Sequence, residues 1–281
     1  MHVFQPLAFT RTTGPLRTRK RWGGGAAYCV LLLATVLSSV GCASLSDAEK
    51  ESLRVASAEY ERGEISSAMA RLDKLIADHP STKEIAEAYY VRGLCHARAG
   101  QYGTAQRDLL TALKNSNRDD LTAHTRASLG AVAYRQGDWG RAAEYYEAAL
   151  PDLPDDPPKD QTLYYAGVAL ERIGQWKRAR ARFAEILHRF GTRPIAASAR
   201  RKAAWKHQFF AIQLGAYSST QNADRAIATL KADGYDVWQE FSSRDGGAVW
   251  LVLTGRYSTY AEAVRALKHI RTTQSDALIV P

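Results

Sequence analysis

The chain has 281 residues, of which 46% are hydrophobic, 24% charged and 10% aromatic; this composition excludes wholesale disorder and, at this length, predicts about two domains. Three cysteines, nine prolines and twenty glycines exclude both a disulfide scaffold and a collagen-like repeat. The formal charge of +9 would suit a nucleic-acid partner, but five of the basic residues fall in residues 1–42, which hold no acid, and residues 208–281 hold seven basic and seven acidic groups.

At the amino terminus, Arg11, Arg17, Arg19, Lys20 and Arg21 precede an apolar run from Ala26 to Val40, followed by Gly41-Cys42-Ala43-Ser44. A positive segment, a short apolar segment and small residues in that order predict a cleaved secretory signal over residues 1–42. As a helix the run is about 22 Å long, short of the ~30 Å hydrocarbon core of a bilayer. Ser39-Val40-Gly41-Cys42 resembles the bacterial lipobox, with Ser39 in place of the usual leucine. The resemblance implies an exported lipoprotein, held on a membrane through lipidated Cys42 and facing the periplasm. Ala43 stands where an aspartate would signal inner-membrane retention, which favours the outer membrane. Ordinary signal cleavage, with Cys42 unmodified, is the alternative. Cys95 then remains as a lone thiol among small helical residues, which reads as core rather than reactive.

Residues 43–207 repeat. Gly63-Glu64-Ile65, Gly100-Gln101-Tyr102, Gly137-Asp138-Trp139 and Gly174-Gln175-Trp176 recur at a fixed interval of 37 residues. Ala68, Ala105, Ala142 and Ala179 keep the same phase, as do Leu72, Leu109, Tyr146 and Phe183. Gly93, Gly130 and Gly167 precede three of the turn glycines by seven residues. The period predicts stacked helical hairpins: the turn glycine ends one helix in a left-handed conformation, the next helix starts two residues later, and the small residues let the pair approach closely. Pro194 to His207 reads as a final helix covering the last apolar face. These strings resemble the tetratricopeptide repeat over roughly residues 47–190. The unit is three residues longer than the usual one, and Glu59 stands in the first repeat where a small or aromatic residue is typical. The resemblance implies a groove that takes an unidentified protein or peptide. Eight basic residues (Arg178, Arg180, Arg182, Arg189, Arg193, Arg200, Arg201 and Lys202) make the end of the array basic, as solvated helix faces or as a contact for an anionic lipid or acidic partner.

From residue 208 to 281 the period changes. Phe209 to Tyr217 reads as a strand and Asn222 to Asp233 as a helix stopped by Gly234. Tyr235 to Phe241 and Ala248 to Thr254 read as strands around Arg244-Asp245-Gly246-Gly247. Thr259 to Glu262 forms a capping box opening a helix to about Ile270, and Ala277 to Val280 closes as a strand. The order βαββαβ predicts an α+β, ferredoxin-like module, one antiparallel sheet with both helices on one face. The protein is therefore read as multidomain, an all-α solenoid followed by this module. Strand alternation sends Ile212, Leu214, Val237, Trp250 and Val252 toward the helices, and Ala211, Gln213, Trp238, Val249, Leu251 and Leu253 to the free face.

Ile212-Gln213-Leu214-Gly215-Ala216-Tyr217 and Trp250-Leu251-Val252-Leu253-Thr254-Gly255-Arg256-Tyr257, in that order of elements, resemble the SPOR domain. The resemblance implies peptidoglycan glycan strands as ligand, preferably stripped of stem peptides, and a place in cell division or wall remodelling. Gln213 matches a family glutamine; Trp238, Val249, Leu251 and Leu253 complete the expected glycan face by alternation. Ala216 and Leu251 replace a serine and an arginine common in the family. Two bland alternatives stand beside this one: Trp238 docks against the repeats, and Gln213 serves only strand pairing. RNA-recognition modules share the element order, but the Lys/Arg-Gly-aromatic string and the positive charge such binding requires are both lacking. The histidines are scattered, no metal-ligand spacing appears, and no nucleophile motif or phosphate loop occurs. The sequence thus predicts neither catalysis, nor a metal, nor a cofactor. The expected function is a non-catalytic tether that grips glycan with its final domain and recruits a protein with its repeats. An outer-membrane assembly scaffold acting mainly through the repeats is the rival.

Overall fold

Each 37-residue unit folds into a helical hairpin: α1 (Asp47–Arg62) with α2 (Ile65–Asp78), α3 (Ile85–Arg98) with α4 (Tyr102–Asn115), α5 (Asp119–Gln136) with α6 (Trp139–Ala149), and α7 (Lys159–Arg172) with α8 (Trp176–Arg189). The computed structural model describes residues 44–80, 84–244 and 247–281. The signal segment with Cys42, and the hairpin tip Asp245–Gly246, lie outside the described residues. No helix among those described is long and apolar enough to cross a membrane.

The turn glycines Gly63, Gly100, Gly137 and Gly174 have φ of 84°, 77°, 78° and 80°, a region any side chain would strain. The N–H that follows each glycine donates to the carbonyl five residues back, at 2.9, 2.9, 3.0 and 2.8 Å in chain order. Carbonyls at the end of each first helix are thereby satisfied by the turn itself. Close approach explains the second set of glycines. A Cβ on Gly93, Gly130 or Gly167 would lie 2.9, 2.7 or 2.6 Å from Leu109 Cγ, Tyr146 Cδ1 or Phe183 Cε1. The large in-phase residue of each second helix therefore sits on the glycine of its own first helix. In the first repeat, buried Glu59 accepts hydrogen bonds from Arg71 Nη2 at 2.9 Å and Nε at 3.2 Å, so its charge is paired where it is desolvated.

Helix α9 (Ile195–Ala204) covers the last hairpin. It ends three residues before the expected His207, because Trp205 turns extended, with ψ of 110°. The chain then enters β1 (Phe210–Tyr217), α10 (Thr220–Ala232), β2 (Val237–Arg244), β3 (Gly247–Tyr257), α11 (Tyr260–Ile270) and β4 (Leu278–Val280). The four strands form one antiparallel sheet in the order β2-β3-β1-β4. Both helices pack on one face, over Ile212, Val237 and Val252, with Leu214 and Trp250 partly buried beside them.

The sheet is docked on the array. Trp176, which opens α8, packs on Phe210 with ring centroids 4.7 Å apart, and its Nε1 donates to Ser258 O at 3.3 Å. The Arg172 guanidinium lies 4.3 Å from the Trp139 ring centre and 3.7 Å from that of Tyr260, the first residue of α11. Such cation–π contacts contribute about 0.5–2 kcal/mol each. Together these contacts fix how the free face of the sheet meets α9.

Candidate functional site

Alternation places Trp238, Leu251, Leu253, Gln213 and Val249 as expected, on the face away from α10 and α11. Trp238 stands opposite Leu253, Leu253 opposite Gln213, and Glu240 opposite Leu251. That face is not open. Leu251, Leu253 and Gln213 are 4%, 0% and 8% exposed, and Trp238 and Val249 are half-buried. The cover is the segment leading out of α9. Trp205 and Phe209 join Ala211, Leu251, Leu253 and Val280 in one apolar cluster, with Trp238 and Val249 packed against it.

An aromatic layer holds this cover in place. The His207 ring stacks on Phe209 at 4.7 Å, and Phe209 meets Trp238 edge-on at 6.2 Å. The Arg256 guanidinium lies 4.5 Å from the centre of the Trp238 ring. Trp205 Nε1 donates to Phe209 O at 2.9 Å, and His207 Nε2 lies 2.7 Å from Glu240 Oε2. The driving force is simple: four aliphatic side chains on one face are too much apolar area to leave in water. The expectation that Gln213, Leu251 and Leu253 present themselves to a ligand on an open surface is corrected accordingly. Trp238 is a packing residue against the connecting segment.

The part of the face left uncovered opens into a cleft of about 410 Å³, within the range of about 300–1,000 Å³ typical of small-ligand sites. One wall comes from the sheet, with Glu240, Phe241, Ser242, Leu251 and Val280; the other comes from the array, with Tyr164 on α7 and Ser198, Arg201, Lys202 and Trp205 on or after α9. Phe241 is 56% exposed and rests its ring edge-on against Trp250 at 5.4 Å. Burial pushes the Tyr164 phenol above its ordinary pKa, while Arg201 and a hydrogen bond with Ser198 pull it the other way. Burial likewise raises the Glu171 carboxyl against the opposing pull of Lys202, whose Nζ donates to Glu171 Oε1 at 2.6 Å.

The basic end of the array sorts into paired and unpaired groups. Arg178 and Arg182 bind Glu147, Arg189 binds Glu185, and Arg193 binds Asp160 at 3.3 Å. Among the described residues, Arg180, Arg200 and Arg201 have no carboxylate within ion-pair distance; Arg201 Nη2 donates to Ser198 Oγ at 3.0 Å. Sequence reasoning missed Phe241, Glu240 and Ser242 as cleft residues and singled out Arg201 only as one of eight cations.

On the array, α3, α5, α6 and α7 line a second, far smaller pocket of about 30 Å³, with Tyr90, His124, Tyr146, Gln161 and Tyr165 among its walls. That is room for one water-sized group rather than a peptide. Burial pushes the His124 imidazole down to about 4, with Asp120 opposing. Cys95 is buried and its thiol is pushed up to about 12 by desolvation, as its core reading predicts. No group of three His, Cys, Asp or Glu among the described residues is placed to hold a metal ion.

Residues 206–281 match the SPOR domain family, residues 45–132 the YfiO outer membrane lipoprotein family, and residues 161–192 a tetratricopeptide repeat family. No curated protein matches the chain. Among solved structures, MamA is 22% identical, covering 51% of this chain and 79% of its own, with a TM-score of 0.44. PilF of Pseudomonas aeruginosa is 13% identical, covering 56% and 68%, with a TM-score of 0.48. YrrB, described as a TPR protein with an unusual peptide-binding site, is 19% identical, covering 69% and 100%, with a TM-score of 0.47. The chain is thus a helical-hairpin array followed by an α+β domain, the array matching the YfiO and tetratricopeptide repeat families over parts of its length and the final domain matching the SPOR family.

Proposed function

We propose that this is an exported envelope lipoprotein whose SPOR domain holds peptidoglycan glycan strands while its repeats engage a protein partner. Cys42 is its membrane anchor, facing the periplasm, with the outer membrane as its site. The signal is removed up to Gly41, leaving lipidated Cys42 as the new amino terminus; residues 43–207 form the partner-binding unit and residues 208–281 the wall-binding unit. The carrying observation is the cleft on the uncovered part of the sheet's free face, in a domain that matches the SPOR family. Its chemistry suits a sugar chain: Glu240 and Ser242 offer groups that exchange hydrogen bonds with hydroxyls, and Leu251 and Val280 give the cleft floor an apolar surface for the C–H face of a pyranose. Gln213, Val249 and Leu253 then act from beneath the contact surface, shaping it. Two weak contacts on one chain strengthen each other through effective concentration, which is how a tether of this kind grips wall and partner together.

The test is co-sedimentation of the full chain with purified sacculi. Retention, increased when stem peptides have been stripped, is the expected result. If the chain stays in solution with both preparations, the proposal is wrong. One observation favours the rival scaffold role: the cover over Leu251, Leu253 and Gln213 uses the position where an open glycan face was expected. Failure to sediment leaves that second reading in place.

A further inference from the structure

We infer that the repeat array completes the glycan site, with Arg201 of α9 reading the free lactyl carboxylate of a muramyl residue that has lost its stem peptide. The inference rests on the reading of the cleft as a glycan site and adds to it a specificity residue from outside the SPOR domain. The pairing of the charged side chains that line the cleft leads to it. Glu240 is engaged by His207 at 2.7 Å and Lys202 by Glu171 at 2.6 Å. Arg201 lines the same cleft, is exposed, and among the described residues has no carboxylate partner; its Nη2 spends one donor on Ser198 Oγ. The remaining guanidinium donors keep the planar fork that matches a carboxylate in two parallel hydrogen bonds.

The ligand's chemistry supplies the complement. With a stem peptide attached, the lactyl carboxyl is an amide and neutral. Cleavage of that amide leaves a carboxylate on every muramyl residue, an anionic group recurring along an otherwise uncharged sugar chain. Placing an unpaired cation on the opposite wall from Ser242 and Leu251 discriminates between the two states. The geometry depends on docking: the contacts of Trp176 with Phe210 and Ser258, and of Arg172 with Tyr260, hold α9 beside the sheet.

The experiment measures binding of the full chain to soluble glycan strands in two forms, stripped strands with free lactyl carboxylates and the same strands with those carboxylates converted to methylamides. Wild type is expected to prefer the free form by about tenfold, in line with one charge-assisted bidentate contact at a partly exposed site. Arg201→Gln should bind both forms equally, at the wild-type level for the methylamide, and Arg200→Gln should behave as wild type. If Arg201→Gln keeps the preference, or weakens both forms alike, the role assigned to Arg201 is wrong while glycan binding stands. If wild type binds neither form, both the inference and the proposed function fall.

Discussion

The array and the sheet each cover an apolar face, by different means. In the array, the large side chains Leu109, Tyr146 and Phe183 seat on Gly93, Gly130 and Gly167 of their own hairpins, so one device recurs in three of the four units, with the cover each time sixteen residues away in sequence. On the free side of the sheet, the cover is a single non-repeating segment, Trp205 to Phe209, laid over Ala211, Leu251, Leu253 and Val280. A repeated device closes its face unit by unit, because each of these three hairpins carries both the glycine and its lid. The single segment runs out before the face does, and the remainder becomes the cleft. Incomplete coverage at the junction is what leaves the molecule a surface to use.

The contrast is sharpest where the repeated device is removed. Phe183→Ala deletes a ring that is 1% exposed and seated on Gly167. It should cost ~3–5 kcal/mol of stability, the usual range for a buried Phe→Ala truncation, read as a fall in the urea midpoint with little change in slope. Loss of less than about 1 kcal/mol would mean that the last hairpin leans on α9 and the docked sheet rather than on its own glycine seat.

Titration probes the array's interior from a different direction. His124 is 3% exposed, and burial lowers its pKa from 6.5 to about 4. A base whose folded pKa is depressed takes up its proton in the unfolded state first. Stability is therefore full above pH 6.5, falls as the pH drops toward 4, and levels off below it, with a contribution from this group on the order of 2–4 kcal/mol at ~1.4 kcal/mol per unit. His124→Leu should flatten the stability profile between pH 4 and 6.5. An unchanged slope in that variant would assign the acid sensitivity to carboxylates instead.

Much of this architecture is legible in the residues, and the limits are physical. The spacing of Gly63, Gly100, Gly137 and Gly174 carried the hairpins and their left-handed turns, because a positive φ and a close helix contact each restrict which residue fits at one position. Alternation likewise carried the facing of Trp238, Leu251 and Leu253, since a strand's side chains have no other choice. Exposure is another matter. Whether an outward residue meets water depends on what else crosses it, and here the covering rings come from Trp205, His207 and Phe209, where the sequence reads as the end of a helix. Phe241 shows the converse: its alternation points it toward the helices, yet on the edge strand β2 it is left 56% exposed. Arg201 was equally hidden, for it becomes distinct from its seven basic neighbours only when their partners are known.

That difference between facing and coverage makes the smallest effect also the most discriminating. Trp238 sits under Phe209 and Arg256, whereas Ser242, on the same face of β2, lines the cleft. Ser242→Ala should weaken retention on stripped glycan by about fivefold, roughly the ~1 kcal/mol expected of one lost hydrogen bond. Trp238→Ala should lower stability and leave the affinity of the folded protein within about twofold. The measurement is a binding isotherm for each variant below its unfolding transition. The opposite order, with Trp238 dominant and Ser242 silent, would require the Trp205–Phe209 segment to lift away before glycan binds, making the cover a gate that opens onto Gln213, Leu251 and Leu253 rather than a fixed wall beside them.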